Sequence, residues 1–251
     1  MRHKALASLD AGCSLRSISV TTGVSRSTLR EWRDHPERAL APRATCPRCS
    51  DPPALPEPRG DYAYLLGLYL GDGCISVSGD SAKGVWKLRI ICAEAWPSLI
   101  QECVRVMRAV RPDNKVMLQR KQGCFEVSSC SRHWPCLFPQ HGPGKKHARR
   151  IALQSWQKFI VSEVPGDFAR GLFHSDGYRG VNRVRARLRD GERWYEYPRY
   201  LFVNESADIL RLCGEALDLL GVAWRFSKPN VISVARKDAV ARLDEFVGPK
   251  Y

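Results

Sequence analysis

The spacing of hydrophobic residues changes along the chain, and the changes divide the sequence into three parts. Residues 1 to about 35 place apolar side chains at helical intervals around Gly12 and Gly23, which predicts three short helices separated by turns. Residues 36–60 contain seven prolines, a density that excludes a helix or a central strand and predicts a linker. From Asp61 onward helical and strand-like patterns alternate, which is typical of an α+β or α/β domain.

The third part of the chain repeats one order of elements twice. Each copy opens with a mostly apolar segment that ends in Asp-Gly, and strand-like segments, a helix and further strand-like segments follow. The two copies also close on similar sequences, at residues 138–146 and 244–250. A shared order over about 100 residues predicts a pseudo-twofold domain with halves of about 61–165 and 166–251.

The opening segment of each copy carries small residues in its interior. Gly67 and Gly71 lie four residues apart, on one face of a helix, and each glycine costs about 1 kcal/mol relative to alanine. Gly171 and Ser175 repeat the pattern in the second copy. Small residues at this spacing allow two helix backbones to approach closely. We therefore predict that these two helices are buried and pack side by side in parallel.

An aspartate ends each of these helices, followed by a glycine, the residue that commonly stops a helix. In a parallel pair, Asp72 and Asp176 come together at the same end. Two carboxylates at helix C-termini repel each other and the helix dipoles, and a divalent cation makes the arrangement favourable. Oxygen ligands with open positions suit Mg²⁺, which can activate water and stabilise a phosphate leaving oxygen. The pair therefore predicts a Mg²⁺ site.

The two opening segments resemble the paired LAGLIDADG motifs of single-chain homing endonucleases, a resemblance that covers about residues 61–251. It implies an α+β fold with two αββαββα halves, in which the motif helices form the interface. It also implies that the acid at the eighth motif position of each copy, Asp72 or Asp176, binds the catalytic metals. Their separation of 104 residues suits one half for each motif.

The resemblance has further consequences for single positions. The residues before the two acids, Gly71 and Ser175, join them as candidate metal-site residues. At the sixth motif position Leu70 and His174 replace an aspartate, and His174 is then either a general base or a packed side chain. The family also places a basic residue near each metal site. Lys146 is our candidate for this catalytic role, with Lys145 and Lys250 as alternatives; a plain phosphate contact or a solvated lysine is the other interpretation.

The charge of the chain predicts a polyanionic partner. Lys and Arg number 40 against 26 acids, which gives a net charge of +14 and a pI near 9.6. Residues 141–190 hold eleven of the basic residues against four acids. Within them, a strand at 183–189 alternates Arg183, Arg185, Arg187 and Arg189 with apolar residues expected to face the core. We predict double-stranded DNA as the partner; the alternative for this strand is a solvated basic edge.

The resemblance assigns this strand to a saddle-shaped sheet along the major groove of DNA. Arginines there are expected to bind guanine edges and phosphates. In the first copy, Lys87 and Arg89 are candidates for a similar part.

The three helices at residues 1–35 are similar to helix-turn-helix modules of resolvases and transposases. Ser25, Arg26, Ser27 and Arg30 lie near the start of the third helix, where such modules contact base edges. Seven apolar residues are expected to form the core: Leu6, Leu9, Leu15, Ile18, Val24, Leu29 and Trp32. Thr22 stands where leucine is usual, which predicts looser packing at the turn. Helical hairpins of this length also occur without a role in DNA binding.

The linker contains Cys46-Pro-Arg-Cys49, a spacing that can supply half of a zinc site. Four ligands are needed, and no second close pair is present in the linker. Cys124, Cys130, His133 and His141 are distant in sequence, so zinc and free thiols both remain open. The chain has no apolar run of bilayer length and no signal peptide, which predicts a cytoplasmic protein with reduced cysteines.

These features predict a metal-dependent, site-specific DNA endonuclease of the homing type that makes double-strand cuts as a monomer. The main alternative is a transcription regulator that uses a catalytically idle core to read DNA. An RNA-splicing maturase is a third possibility, against which the helix-turn-helix argues. A pure DNA reader does not require both Asp72 and Asp176, and both are present.

Overall fold

A computed structural model describes residues 2–37, 46–188, 191–248 and 250, with backbone alone at 186–188. The chain divides into two compact units, Met1–Ala44 and Thr45–Tyr251. Each unit has its own hydrophobic core. Within the described residues, no helix is long and apolar enough to cross a membrane.

Unit 1 contains three helices, α1 (Arg2–Asp10), α2 (Leu15–Thr22) and α3 (Arg26–Asp34). Ser14 and Ser25 cap α2 and α3 by accepting hydrogen bonds from backbone N–H groups one turn ahead, and Gly23 ends α2 in the left-handed conformation. Of the seven apolar residues expected in the core, Ile18, Leu29 and Trp32 are buried, whereas Leu6, Leu9, Leu15 and Val24 are half-buried around them.

The turn of unit 1 does not pack loosely at Thr22, which corrects our expectation. Thr22 is 4% exposed. Its hydroxyl donates to the carbonyl of Ile18 at 2.5 Å, so a polar side chain is buried with its hydrogen bond satisfied.

Unit 2 consists of two halves with the same order of elements, which confirms the predicted pair of αββαββα halves. The first half contains α4 (Arg59–Gly71), β1 (Gly73–Val77), β2 (Trp86–Ala93), α5 (Pro97–Val110), β3 (Val116–Lys121), β4 (Cys124–Ser131) and α6 (Trp134–Leu137). The second contains α8 (Pro165–Asp176), β5 (Gly177–Leu188), β6 (Gly191–Val203), α9 (Ala207–Leu219), β7 (Arg225–Lys228), β8 (Val231–Val234) and α10 (Lys237–Val247). Between the halves lies α7 (Ser155–Glu163), a helix that the repeat did not predict.

Each half forms a four-stranded antiparallel sheet, with strand order β1-β2-β4-β3 in the first and β5-β6-β8-β7 in the second. The register is also shared at the start of each sheet, because Gly73 pairs with Ile90 and Gly177 pairs with Phe202. Alternate residues of β2, such as Leu88 and Ile90, are buried against the helices. On the opposite face of β2, Lys87 and Arg89 are half-buried and Ile91 is exposed.

The hairpin of β5 and β6 differs from our expectation for an ordinary half-buried sheet. The two strands pair from Gly177–Phe202 to Leu188–Gly191, whereas β8 pairs only with residues 200–203 of β6. The outer part of the hairpin therefore has no third strand beside it among the described residues. Val184, expected to face the core, is 41% exposed, because the register places it on the face of the sheet opposite to the buried Tyr200 and Phe202. The expected orientation of this strand is therefore wrong, since Arg183 and Arg185 lie on the face of Tyr200 and Phe202.

Candidate metal and nucleic-acid site

The helices α4 and α8 pack backbone against backbone, as their small residues predicted. A Cβ atom added to Gly67 would lie 2.6 Å from the carbonyl oxygen of Phe168, and one added to Gly171 would lie 2.2 Å from that of Tyr64. One turn further along, a Cβ on Gly71 would lie 2.0 Å from Ser175 Oγ. The contacts advance in the same direction along both helices, so the helices are parallel and in the predicted register.

The two ends of this helix pair differ in charge. Asp61 and Asp167 lie in the first turns, where the helix dipole stabilises a negative charge. At the other end, Asp72 follows the last residue of α4, and Asp176 is the last residue of α8. These two carboxylates are therefore held together at the end of the helices that is electrostatically least favourable for them.

This environment raises the pKa of both acids. Reduced hydration at the packed helix ends, and then repulsion from Asp176, raise the pKa of Asp72 to about 6, although its side chain remains accessible to solvent. Burial also raises the pKa of Asp176, which is half-buried. The structure therefore brings the two predicted metal ligands close enough to interact and leaves both short of compensating hydration.

Asn204, which the sequence analysis did not single out, orients one of the two acids. It stands directly after β6, and its Nδ2 donates to Asp176 Oδ2 at 2.7 Å. The register of the sheets places Cys92 at the matching position of the first half, two residues beyond Ile90 as Asn204 is two beyond Phe202. Cys92 is buried and has no amide group, so the acids of the two halves have different neighbours at this position.

Lys146 and Lys250 occupy corresponding places at the ends of the two helices. Lys146 Nζ donates to the carbonyl oxygens of Leu70 at 2.9 Å and Gly71 at 2.7 Å, and also to that of Tyr69. Lys250 Nζ donates to the carbonyl of Gly177 at 2.6 Å and lies 3.4 Å from that of Ser175. Burial lowers the pKa of Lys146 to about 8 against the attraction of both aspartates, and it also lowers the pKa of Lys250. Lys145 is exposed.

A cavity of about 640 Å³ opens at the ends of the two helices, where its wall includes Asp176, the two neighbours of Asp72 and several basic side chains. Lys146, Arg149, Arg89 and His141 contribute to its wall, together with Asp176 and Asn204. Within the described part of the chain, Arg89 Nε and His141 Nδ1 are buried without a hydrogen-bond partner. The charges of Lys146, Arg149 and Arg89 in the wall favour an anionic group in the cavity.

Lys87 and Arg89, the two predicted DNA-contacting residues of the first sheet, have different surroundings. Arg89 faces the cavity, as described. Lys87 instead donates to Glu126 Oε1 at 2.6 Å, and Lys121 donates to the other oxygen of the same carboxylate at 2.5 Å. Hydrogen bonds from Lys121 and Lys87 lower the pKa of Glu126 to about 2. Lys87 thus has a structural partner that the sequence did not reveal.

Arg183 and Arg185 of β5 are exposed on the ribbon and are paired with acids of β6. Arg183 Nε lies 3.0 Å from Glu196 Oε1, and its guanidinium stands 4.9 Å from the ring centre of Trp194. Arg185 forms an ion pair with Glu192. The backbone of Arg187 continues the strand, its side chain lies outside the described part, and Arg189 lies outside the described residues altogether.

His174 is a packed side chain in this structure. It is 7% exposed, its Nδ1 lies 2.9 Å from the hydroxyl of Tyr64, and its Nε2 lies 2.9 Å from the carbonyl oxygen of Val247. Burial, followed by the charge of Arg170, lowers its pKa to about 4, so the ring is neutral near pH 7. Both ring nitrogens are engaged, which favours the packing role over that of a general base.

The candidate DNA-contacting residues of unit 1 lie at the start of α3, as expected. Ser25 is the N-cap, and its Oγ accepts a hydrogen bond from Thr28 N at 3.2 Å and lies 2.9 Å from Ser27 Oγ. Arg26 and Arg30 are exposed on the helix that follows. Ser25 and Ser27 therefore also serve the local structure of the helix end.

The two linker cysteines are brought together with distant residues. Sulfur and nitrogen atoms of Cys46, Cys49, His133 and Cys136 all lie within 4.8 Å of one another. His133 is one of the distant residues left open in the sequence, whereas Cys136 was not predicted. The signal in the sequence was the second pair, His133-Trp-Pro-Cys136, which has the same spacing as Cys46-Pro-Arg-Cys49.

No protein-family model matches this chain, and no curated protein matches it in sequence. Several solved structures do. The homing endonuclease I-DmoI, in a study of mesophilic variants, is 15% identical with a TM-score of 0.46, over 75% of this chain and 96% of its own. I-AabMI, a LAGLIDADG meganuclease bound to uncleaved DNA, is 10% identical with a TM-score of 0.46, over 74% and 82%. I-SmaMI, bound to an uncleaved DNA target with calcium ions, is 9% identical with a TM-score of 0.46, over 74% and 84%. These similarities concern the path of the backbone and assign no role to any residue of this chain.

Proposed function

We propose that this protein is a site-specific DNA endonuclease of the homing type, which makes metal-dependent double-strand cuts as a monomer. The observation that carries the proposal is the meeting of Asp72 and Asp176 at the ends of two closely packed helices, beside a cavity with basic walls. Both acids come from one chain, and each half contributes one sheet. A second subunit is therefore not required to complete the pair.

The donor set fits a divalent cation. Asp72 and Asp176 offer hard carboxylate oxygens, and burial raises the pKa of both despite the nearby charges of Lys146 and Lys250. The backbone carbonyls of Gly71 and Ser175 lie at the same helix ends and are contacted by Lys146 and Lys250, so a metal ion that used these oxygens would share or replace the lysine contacts. A bound Mg²⁺ would supply a Lewis acid that activates water and stabilises the leaving oxygen of a phosphodiester.

The residues around the acids have separate roles in this proposal. Asn204 fixes the orientation of the Asp176 carboxylate through its hydrogen bond. Lys146 and Lys250 place a positive charge at each helix end, where negative charge develops on the scissile phosphate. Arg89, which lines the cavity, adds a further positive charge beside the same anion. In this proposal the basic side chains bind the phosphate, and the two carboxylates bind the metal ion.

Each unit carries exposed basic side chains that suit duplex DNA. The ribbon of β5 and β6 offers Arg183 and Arg185, the strand continues to Arg187, and the chain continues to Arg189. The start of α3 in unit 1 offers Arg26 and Arg30. A net charge of +14 supports binding to a polyanion. We propose that unit 1 reads bases as a helix-turn-helix and that unit 2 reads and cuts a separate stretch of the site.

The test is cleavage of a plasmid library that carries random inserts. We expect the full chain to linearise a subset of plasmids when Mg²⁺ is present and none when it is removed with a chelator. Sequencing of the ends identifies the target. An Asp72→Asn, Asp176→Asn double variant is expected to bind that target in a gel-shift assay without cutting it.

Two outcomes would count against the proposal. Cutting that persists in the double variant would show that the paired carboxylates are not the metal ligands. Specific binding by the wild-type chain without cutting, in Mg²⁺ and in Mn²⁺, would instead support a transcription regulator.

A further inference from the structure

We propose that Cys46, Cys49, His133 and Cys136 together bind one structural Zn²⁺. The sequence offered only the first pair as half of a site. The fold brings the second pair, His133 at the N-cap of the short helix α6 and Cys136 within it, against the first pair, which precedes α4 in the chain. The four residues supply three thiolates and one imidazole, a ligand set that zinc prefers over magnesium or calcium.

The separations agree with one tetrahedral ion. Cys49 Sγ lies 3.5 Å from Cys136 Sγ and 3.5 Å from His133 Nδ1, and Cys136 Sγ lies 4.0 Å from His133 Nδ1. Around a zinc with Zn–S of about 2.3 Å and Zn–N of about 2.0 Å, tetrahedral geometry separates two sulfurs by about 3.8 Å and a sulfur from a nitrogen by about 3.5 Å. Side chains from two segments that are far apart in sequence thus converge on one point.

The alternative for two of these cysteines, a disulfide, does not describe the cluster. Cys46, Cys49 and Cys136 are all free thiols, and the 3.5 Å between two of their sulfurs is far longer than a covalent S–S bond of about 2.0 Å. Three thiols and a histidine nitrogen within 4.8 Å gain little from one another as hydrogen-bonding groups, because sulfur is a weak donor and acceptor.

The charge balance around the cluster also suits a bound ion. Zn²⁺ with three thiolates and a neutral imidazole carries one net negative charge. The guanidinium of Arg111, which is 6% exposed, acts electrostatically on both Cys46 and His133. A buried cation beside such a centre compensates its charge, as buried charges in proteins generally require.

The proposed zinc site is suited to a structural ion, because it leaves no coordination position open. All four ligands come from the protein, which is typical of structural rather than catalytic zinc. Cys46 is 2% exposed and belongs to the core of unit 2, and the neighbouring Arg48 stacks on Trp156 at 4.5 Å. The ion would therefore join the start of unit 2 to the end of its first half, across more than 80 residues of chain.

The direct test is the metal content of the purified full chain, measured by inductively coupled plasma mass spectrometry. We expect about one zinc per chain, retained through gel filtration. Cys49→Ser and Cys136→Ser should each lose most of it. Cys13→Ser, at an exposed cysteine of unit 1, is the matched control and should keep it. Metal content is independent of DNA cleavage, so this test and the test of the proposed nuclease can fail separately.

A second measurement remains informative if the variants fold poorly. Wild-type chain stripped with a strong chelator should take up one Co²⁺ and develop the charge-transfer and visible bands of tetrahedral cobalt thiolate. Its thermal midpoint should fall on stripping and return with zinc. A purified chain without stoichiometric zinc that also fails to bind Co²⁺, or a Cys46–Cys49 disulfide in the native protein, would overturn the proposal.

Discussion

At the scale of single residues, unit 2 contains charged groups that are fully paired and others that face charges of like sign. Glu126 accepts from two lysines, whereas Asp72 and Asp176 face each other with lysines near but bound to backbone carbonyls. Pairing of the first kind stabilises a sheet. Crowding of the second kind reduces stability and persists where an ion or substrate relieves it.

Lys146 allows a sharp test, because the residue before it has the same side chain in a different place. Lys146→Met should lower the single-turnover rate of cleavage by about 10²-fold, since it removes a positive charge at the reacting phosphate. Binding of the target should change little. Lys145→Met, at the exposed neighbour, is the control and should cut at the wild-type rate. Equal rates for the two variants would remove Lys146 from the catalytic role.

Glu126 makes a prediction about stability and pH. Its pKa in the folded protein is about 2, below the usual 4.5, so its stabilising effect is complete above about pH 5 and is lost as pH falls towards 2. Glu126→Gln should lower the free energy of unfolding at pH 7 by about 1–2 kcal/mol, and the difference should shrink in acid. Urea unfolding at several pH values measures it. Glu94→Gln, in an exposed pair with Arg120, should have an effect below about 0.5 kcal/mol; equal, pH-independent losses would contradict the assignment.

At the scale of elements, the contact of α4 with α8 depends on the absence of side chains. Gly171→Ala would bring Cβ to 2.2 Å from Tyr64 O and 3.0 Å from Gly67 Cα, backbone atoms that cannot rotate away. We expect a loss of about 1–3 kcal/mol in unfolding free energy, measured by denaturant titration. Gly60→Ala, near the start of α4, meets only the movable Asp167 carboxylate at 2.8 Å and should change stability by less than about 1 kcal/mol. A Gly171→Ala protein as stable as wild type would show that the helices are not in close contact.

The ribbon of β5 and β6 makes a prediction about salt. If Arg183 and Arg185 contact phosphates, replacing each by alanine should weaken DNA binding at all sequences and reduce the slope of log K against log salt by about 1. Fluorescence anisotropy over a range of salt concentrations measures the slope. Arg211→Ala, on α9 where the arginine pairs with Glu215, is the control. An unchanged slope in both ribbon variants would mean that Glu196 and Glu192 are their functional partners.

The packing of the paired helices could be predicted from the sequence because the small residues that it requires are close together in the chain and occur in both copies. Gly67, Gly71 and Asp72 have counterparts 104 residues later, and a close backbone contact is the main physical reason to place glycines in a buried helix. The exposure of Val184 could not be predicted in this way. Alternation shows which residues share a face, but the packing of the sheet on the helices decides which of the two faces is buried, and Val184 lies on the other one.

At the scale of the whole molecule, the remaining surprises involve residues far apart in sequence. Cys46 and Cys136 meet only because the first half folds, and Asn204 reaches Asp176 only because β6 ends beside α8. Such contacts follow from topology, which no local pattern encodes. Lys146 and Lys250 were recognisable in advance because both follow a Gly-Pro sequence near the end of a copy.

The central claim also concerns the whole molecule. Two halves with the same strand order each supply one acid, and the two acids share one cation site at the DNA surface. Without a cation, Asp72 and Asp176 should repel the phosphates of DNA. With a cation they should attract them. Binding of DNA and binding of metal are then linked, and each must strengthen the other by the same factor.

The measurement that tests this linkage is the affinity for the target DNA with and without Ca²⁺, which binds oxygen ligands of the same kind as Mg²⁺. For the wild-type chain we expect tighter binding with Ca²⁺. The Asp72→Asn, Asp176→Asn double variant should bind at least as tightly as wild type without the cation and should no longer respond to it. Asp167→Asn, which changes an acid at the opposite end of α8, should keep the wild-type response. A cation response that survives in the double variant would contradict the account.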